Sequence, residues 1–153
     1  MKVIYTITFG AFLTIACSNN QPKQPNTEIS SKNINSEQNL ADTGSVFKVI
    51  NAPEFSDKIK VQPGIILDVR TPGEYKKGFI KDARLLDIFS DGFEAELNKL
   101  NRNDAYYVYC ASGGRSAECA EKMQMLGFKK VYDLDGGMGA WRNANLPVEM
   151  PQK

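Results

Sequence analysis

Two apolar runs, GIILDV at 64–69 and AYYVYC at 105–110, constrain the fold of this chain more than any other feature. A strand with one face in water alternates apolar and polar residues. A run that stays apolar needs cover on both faces, which a parallel sheet flanked by helices supplies. The stretches around these runs fit that reading. VFKVI (46–50), ARLLDI (83–88) and KVYDL (130–134) are strand-like. APEFSDKIKV (52–61) is a short helix that tolerates Pro53 in its first turn. In TPGEY (71–75), Thr71 caps, Pro72 takes the first helical position and Glu74 reaches back as a capping box. DGFEAELNKL (91–100) and RSAECAEKMQML (115–126) are helical, the second stopping at Gly127 with Phe128 packing back, and MGAWRNA (138–144) is a last helix. Alternating strands and helices over about a hundred residues imply an α/β domain with a mostly parallel central sheet.

The remaining chain is of a different kind. Residues 1–17, MKVIYTITFGAFLTIAC, carry Lys2, an apolar stretch from Val3 to Ile15, and Ala16 directly before Cys17. That stretch is short for a membrane span, which needs about 20 residues, and fits a cleavable export signal better. With the cysteine it resembles a bacterial lipoprotein signal, in which Cys17 would be lipidated. The alternative is an ordinary signal peptide with an incidental cysteine. Residues 18–45 hold fourteen Asn, Ser or Gln and four apolar residues, too few to offset ordering entropy. They are expected to form a disordered tether reaching roughly 30 Å. The domain is expected over 46–150, with 151–153 as a tail.

Several chemistries are excluded at once. The net charge of +1 offers no field for gathering polyanions, so nucleic acid is not expected as a partner. The chain has no histidine, which removes Cys-His dyads, Ser-His-Asp triads and histidine-ligated metals. Its three cysteines form no CxxC pair and no disulfide framework. Neither metal nor organic cofactor is expected.

One residue remains as a candidate nucleophile. Cys110 stands at the carboxyl end of a buried strand, where parallel sheets bind ligands. CASGGR follows it, an arc of small residues at a helix start, in which Gly113 and Gly114 permit backbone angles closed to other residues. Amides turned inward and the nearby Arg115 favour the thiolate. Such a cradle serves phosphate-ester hydrolysis through a phosphocysteine or sulfur transfer through a persulfide. Four residues separate Cys110 from Arg115, where cysteine phosphatases have five, and the tighter ring favours one added sulfur atom.

The stretches ILDVRTPGEYKKGFI, YYVYCASGGRSAECAEKMQMLGFKKVYDLDGGMGAW and LPVE resemble a single-domain rhodanese across nearly all of 46–150, with three motifs in the family's order and spacing. The resemblance implies a rhodanese-like three-layer fold and a thiosulfate sulfurtransferase. Cys110 would be catalytic, taking sulfur from a small anionic donor and passing it to cyanide or a thiol, with a thioredoxin-like protein as one candidate acceptor. Ala111, Ser112, Gly113, Gly114, Arg115 and Ser116 would bind substrate, while Asp68 and Arg70 support the loop. A persulfide carrier serving a protein partner is the alternative, followed by a cysteine phosphatase or arsenate reductase. With the export signal, the expected location is the bacterial cell envelope, by lipid anchor to a membrane and outside the cytoplasm.

The chain departs from the family at GFIKDARLLDI (78–88), where Phe79, Asp82 and Leu86 replace a histidine, a glycine and an asparagine. Lys81 and Arg84 become candidate anion contacts there. Other features are expected to be structural. Cys119, Ala120, Met123 and Leu126 form an apolar helical stripe, so Cys119 is expected in the core rather than as a redox partner. Trp141 and Tyr106, Tyr107 and Tyr109 are expected in the core or pocket wall. Arg70 is expected to pair with Glu74, and Lys129 and Lys130 to form a solvated edge.

Overall fold

The computed structural model describes residues 44–152. The expected export segment with Cys17, the tether as far as residue 43, and Lys153 lie outside the described residues. Within them strands and helices alternate: β1 (Val46–Ile50), α1 (Ala52–Val61), β2 (Ile65–Asp68), α2 (Pro72–Tyr75), β3 (Arg84–Leu85), α3 (Phe93–Lys99), β4 (Ala105–Tyr109), α4 (Gly114–Met125), β5 (Lys130–Leu134) and α5 (Gly137–Asn143). The strands form one sheet in the order β1-β5-β4-β2-β3, with every neighbouring pair parallel.

Central strand β4 shows why the layering follows from its sequence. Successive side chains point to opposite faces. Tyr107 and Tyr109 join Phe55, Leu134 and Trp141 in one core cluster. Tyr106, Val108 and Cys110 join Leu97, Cys119, Met123 and Phe128 in the other. Both faces are therefore covered, and fully burying an apolar side chain contributes about 1.5–3 kcal/mol. A tyrosine adds a hydroxyl that needs a partner in the core. Tyr106 donates to Asn101 O at 2.9 Å, Tyr107 to Gln62 O at 2.8 Å and Tyr109 to Asp68 Oδ2 at 2.7 Å.

Local signals set most element ends. Asn51 caps α1, its side chain accepting from Glu54 N at 3.0 Å. The capping box on α2 forms as read, Thr71 N donating to Glu74 Oε2 at 3.1 Å and Glu74 N to Thr71 Oγ1 at 3.4 Å. Gly127 takes φ +81° after α4, and Phe128 packs back into the core.

The strand expected at 83–88 is corrected to Arg84–Leu85 alone. It lies at the sheet edge with β2 as its one strand neighbour, and beyond Leu85 the chain follows the end of β2 through single bonds, Leu86 N to Asp68 O at 2.8 Å and Ile88 N to Val69 O at 3.5 Å. Leu86 and Ile88 instead pack on the α3 and α4 side. Asp82, which the rhodanese resemblance sets against a glycine, has φ +61°. The position demands a left-handed backbone, and aspartate is one of the few other residues that adopts it.

Candidate active site

Cys110 follows β4 directly and is 1% exposed, its side chain on the α4 side of the sheet. The chain must turn within three residues to enter α4 at Gly114. Gly113 makes that turn with φ +103°, a conformation closed to side-chain-bearing residues, and its N–H donates to Cys110 Sγ at 3.1 Å. Gly114 has no positive φ and serves as an ordinary first helical residue. The expectation that both glycines supply special backbone angles is therefore corrected to Gly113 alone.

The outward side of the loop is held by the segment after β5. Met138 N donates to Cys110 O at 2.8 Å, and Gly139 N to Ala111 O at 3.0 Å. With these carbonyls fixed outward, neighbouring amides are available to the sulfur. Gly137 permits this close approach. It has φ +54°, and a Cβ there would lie 2.8 Å from Ala111 C and 2.9 Å from Ser112 N. The glycines of LDGGMGAW are thus a clamp on the cysteine loop, a role that its sequence position 24 or more residues away does not reveal.

Charge around the thiol is arranged in one direction. Burial opposes ionisation of Cys110, but the Ser116 hydroxyl and the N–H groups of Ser116, Ser112 and Gly113 favour the thiolate, and the net effect lowers the pKa. Arg115 lies close enough to add to this. Its guanidinium is held by Glu74 through two bonds, Nη1 to Oε2 at 2.8 Å and Nη2 to Oε1 at 2.7 Å. The Arg115 bond, against a smaller desolvation cost, brings the Glu74 carboxyl down to about 2. Phe89, although 69% exposed, faces the same guanidinium at 5.7 Å. Glu74 was legible in the sequence as a cap, and its hold on Arg115 across 41 residues was not.

Asp68 and Arg70 are both buried and lie behind the loop. Arg70 Nε donates to Asp68 Oδ1 at 2.8 Å, and Arg70 Nη2 to Gly78 O at 2.8 Å. Tyr109 connects this pair to the cysteine strand, donating to Asp68 Oδ2 and accepting from Ile80 N at 3.1 Å. The expected Arg70–Glu74 pair is corrected: Asp68, two residues back on the same strand end, takes the Arg70 guanidinium, which frees Glu74 for Arg115.

Beside the loop is a cavity of about 210 Å³ whose lining includes Arg70, Lys77, Ala111, Met138 and Arg142. Arg142 also donates to Lys77 O at 2.8 Å, tying α5 to the turn after α2. The cavity's cations are Arg70, which Asp68 already pairs, and Lys77 and Arg142, whereas Lys81 and Arg84, the expected anion contacts, are exposed and outside this lining. The signal that could have found Arg142 is its place one residue after Trp141 in the clamp segment. Cys119 is buried in the core, as expected, and burial, with Asp133 and Glu118 nearby, pushes its thiol up to about 12. Trp141, Tyr106, Tyr107 and Tyr109 are core residues as well. Leu126 ends its helical stripe at 37% exposed, because it caps α4 rather than facing the sheet.

Comparison with known proteins points one way. A family model described as a rhodanese-like domain matches residues 51–144. A thiosulfate sulfurtransferase of Ectopseudomonas mendocina is 31% identical over 108 residues, covering 71% of this chain and 95% of that protein. A candidate sulfur carrier protein of Bacillus subtilis is 34% identical over 105 residues, covering 68% of this chain and 56% of that protein. Among solved structures, a rhodanese-related protein from Thermoplasma volcanium superposes with a TM-score of 0.61 at 31% identity, covering 69% of this chain and 100% of that chain.

Proposed function

Because the chain belongs to the rhodanese-like domain family, we propose that it transfers sulfane sulfur from thiosulfate or a related anion through a persulfide on Cys110. The carrying observation is the thiol at the floor of a narrow amide loop, with Gly113 N–H 3.1 Å from Sγ and Arg115 beside it. The Cys110 thiolate attacks the outer sulfur of thiosulfate. The bond from that sulfur to the sulfonate sulfur breaks, and its electron pair leaves with sulfite. Cys110 then carries an added sulfur with one negative charge, which the loop N–H groups stabilise. Cyanide or an acceptor thiolate attacks that outer sulfur, and the Cys110 thiolate leaves.

Cys110→Ser is expected to abolish thiosulfate-dependent thiocyanate formation and the sulfur adduct seen by intact-mass spectrometry. Retained turnover in this variant overturns the reading.

The likeness to a candidate sulfur carrier supports a second reading, in which the same persulfide is delivered to a protein partner such as a thioredoxin-like thiol. A stoichiometric adduct on Cys110 with negligible turnover of thiosulfate favours that role. The sequence of residues 1–17 supports a further proposal, that Cys17 is lipidated and the domain is held at a bacterial membrane outside the cytoplasm. Cys17→Ser is then expected to shift the protein from the membrane fraction to the soluble fraction, and unchanged partitioning counts against an anchor. In such an oxidising compartment the thiol needs a reducing or sulfur-accepting partner to turn over.

A further inference from the structure

The cavity beside the cysteine loop is larger than a persulfide cycle on Cys110 requires. Its lining starts at Ala111, the residue after the nucleophile, and at Glu74, which holds Arg115. Lys77, in the turn after α2, and Met138, Gly139 and Arg142 of α5 complete it with Arg70. Its volume of about 210 Å³ is the share of roughly seven water molecules at about 30 Å³ each. A sulfonate or a cyanide ion at the loop leaves much of that space over.

Charge in this space is one-sided. Arg70 is paired with Asp68, and both carboxylate oxygens of Glu74 are taken by Arg115. Lys77 and Arg142 have no carboxylate within 4.0 Å among the described residues, and both are exposed, so a solute can reach them. They are also held together. Arg142 Nη2 donates to Lys77 O at 2.8 Å, which fixes the guanidinium at the turn that carries the lysine. Two neighbouring cations without a counter-ion attract an anion and repel a third cation. The loop N–H groups and Arg115 already meet the charge that sits on sulfur, which leaves Lys77 and Arg142 for a charge carried elsewhere on a reactant.

We infer that Lys77 and Arg142 form an acceptor subsite that selects thiols bearing a carboxylate tail over neutral or cationic thiols. The inference rests on the persulfide reading of Cys110 and adds to it the class of acceptor. In the step concerned, the acceptor thiolate attacks the outer sulfur of the Cys110 persulfide and forms a new sulfur–sulfur bond. The bond from that sulfur to Cys110 Sγ breaks, and its electron pair restores the Cys110 thiolate. Lys77 and Arg142 touch only the tail and are specificity-determining residues.

The test follows discharge of the persulfide in the full chain. Cys110 is loaded from thiosulfate, excess donor is removed, and mercaptopropionate, mercaptoethanol or cysteamine is added. Loss of the sulfur adduct is timed by intact-mass spectrometry. Each acceptor is compared with itself across variants, which cancels differences in thiol reactivity. Lys77→Gln and Arg142→Gln are each expected to slow discharge to mercaptopropionate about twofold to fivefold, the range of one exposed ion pair, and the double variant at least as much as either. Discharge to mercaptoethanol should be unchanged, and discharge to cysteamine should hold or quicken. Arg142→Lys keeps the charge and should keep the preference, while Lys77→Gln leaves the bond to the Lys77 backbone oxygen in place, so the pair separates charge from scaffolding. The inference is overturned if the glutamine variants slow all three acceptors equally, if the double variant discharges to mercaptopropionate like the parent, or if only loading by thiosulfate slows. If thiosulfate leaves no adduct, the donor assignment fails, and Cys110 loaded from inorganic polysulfide still decides the acceptor preference. A chain that takes sulfur from neither source overturns both readings.

Discussion

Gly137→Ala tests whether the clamp between α5 and the cysteine loop sets both stability and reactivity. The native φ of +54° costs an alanine about 1–2 kcal/mol, because its Cβ crowds the carbonyl. The same Cβ would stand 2.8 Å from Ala111 C and 2.9 Å from Ser112 N, against backbone that cannot rotate away. Overpacking of this kind costs about 1–3 kcal/mol. Reduced freedom of the unfolded chain returns about 0.4–1 kcal/mol, leaving a net loss of about 1–4.6 kcal/mol. For a domain of about 100 residues, where each kcal/mol moves Tm by about 4 °C, the expected fall is about 4–18 °C. Relief of the clash must push the loop off its two bonds from Met138 N and Gly139 N, so alkylation of Cys110 at neutral pH should slow as well. Gly114→Ala is the matched control, since a Cβ there meets nothing within 4 Å and φ is not positive. Its Tm should hold or rise slightly, despite its place in the cysteine motif. The reasoning fails if Gly137→Ala melts within 1 °C of the parent with an unchanged alkylation rate, or if the two variants behave alike.

Tyr109→Phe leaves the buried Ile80 N–H without its partner, while Asp68 Oδ2 keeps its bonds from Arg70, at a cost of about 1–3 kcal/mol; a urea midpoint equal to the parent's would refute this. In the native protein iodoacetamide should label Cys110 and spare Cys119, whose buried thiol is raised to about 12, and equal labelling by peptide mapping counts against the described burial. The Glu74–Arg115 pair makes stability pH-dependent in a defined window. The folded pKa of Glu74 is depressed from 4.5 to about 2, so its stabilisation is full above pH 4.5 and is lost as pH falls through about 2. Partial exposure of the pair screens it to about 1 kcal/mol. Glu74→Gln keeps a capping group but loses the charge, so the gap in Tm between parent and variant should close across that window. A gap constant from pH 6 to 2 would show that the pair contributes nothing.

The relation between residue pattern and outcome differs by element. Apolar runs, capping residues and the Gly127 stop depend on neighbours within a few positions, and they located β2, β4, α1, α2 and α4 to within a residue or so. The edge strand was overestimated because ARLLDI carries strand propensity, while pairing beyond Leu85 depends on where the β2 end leads the chain. Gly114 was misread for a related reason, since a glycine's permissiveness is visible in sequence and its actual φ is not.

By itself the sequence determined the α/β class and singled out Cys110, with small residues following it, as the candidate nucleophile, because each depends on side-chain chemistry or short-range geometry. The absence of histidine likewise settled that any activation of Cys110 comes without imidazole. Only the tertiary structure decided which partners do so. Glu74 on Arg115 and Gly137 behind the loop come from elements 25 to 41 residues from their partners. Parallel strands bring their carboxyl ends to one edge of the sheet, and contacts made there are set by strand order and register, which local residue preferences do not encode.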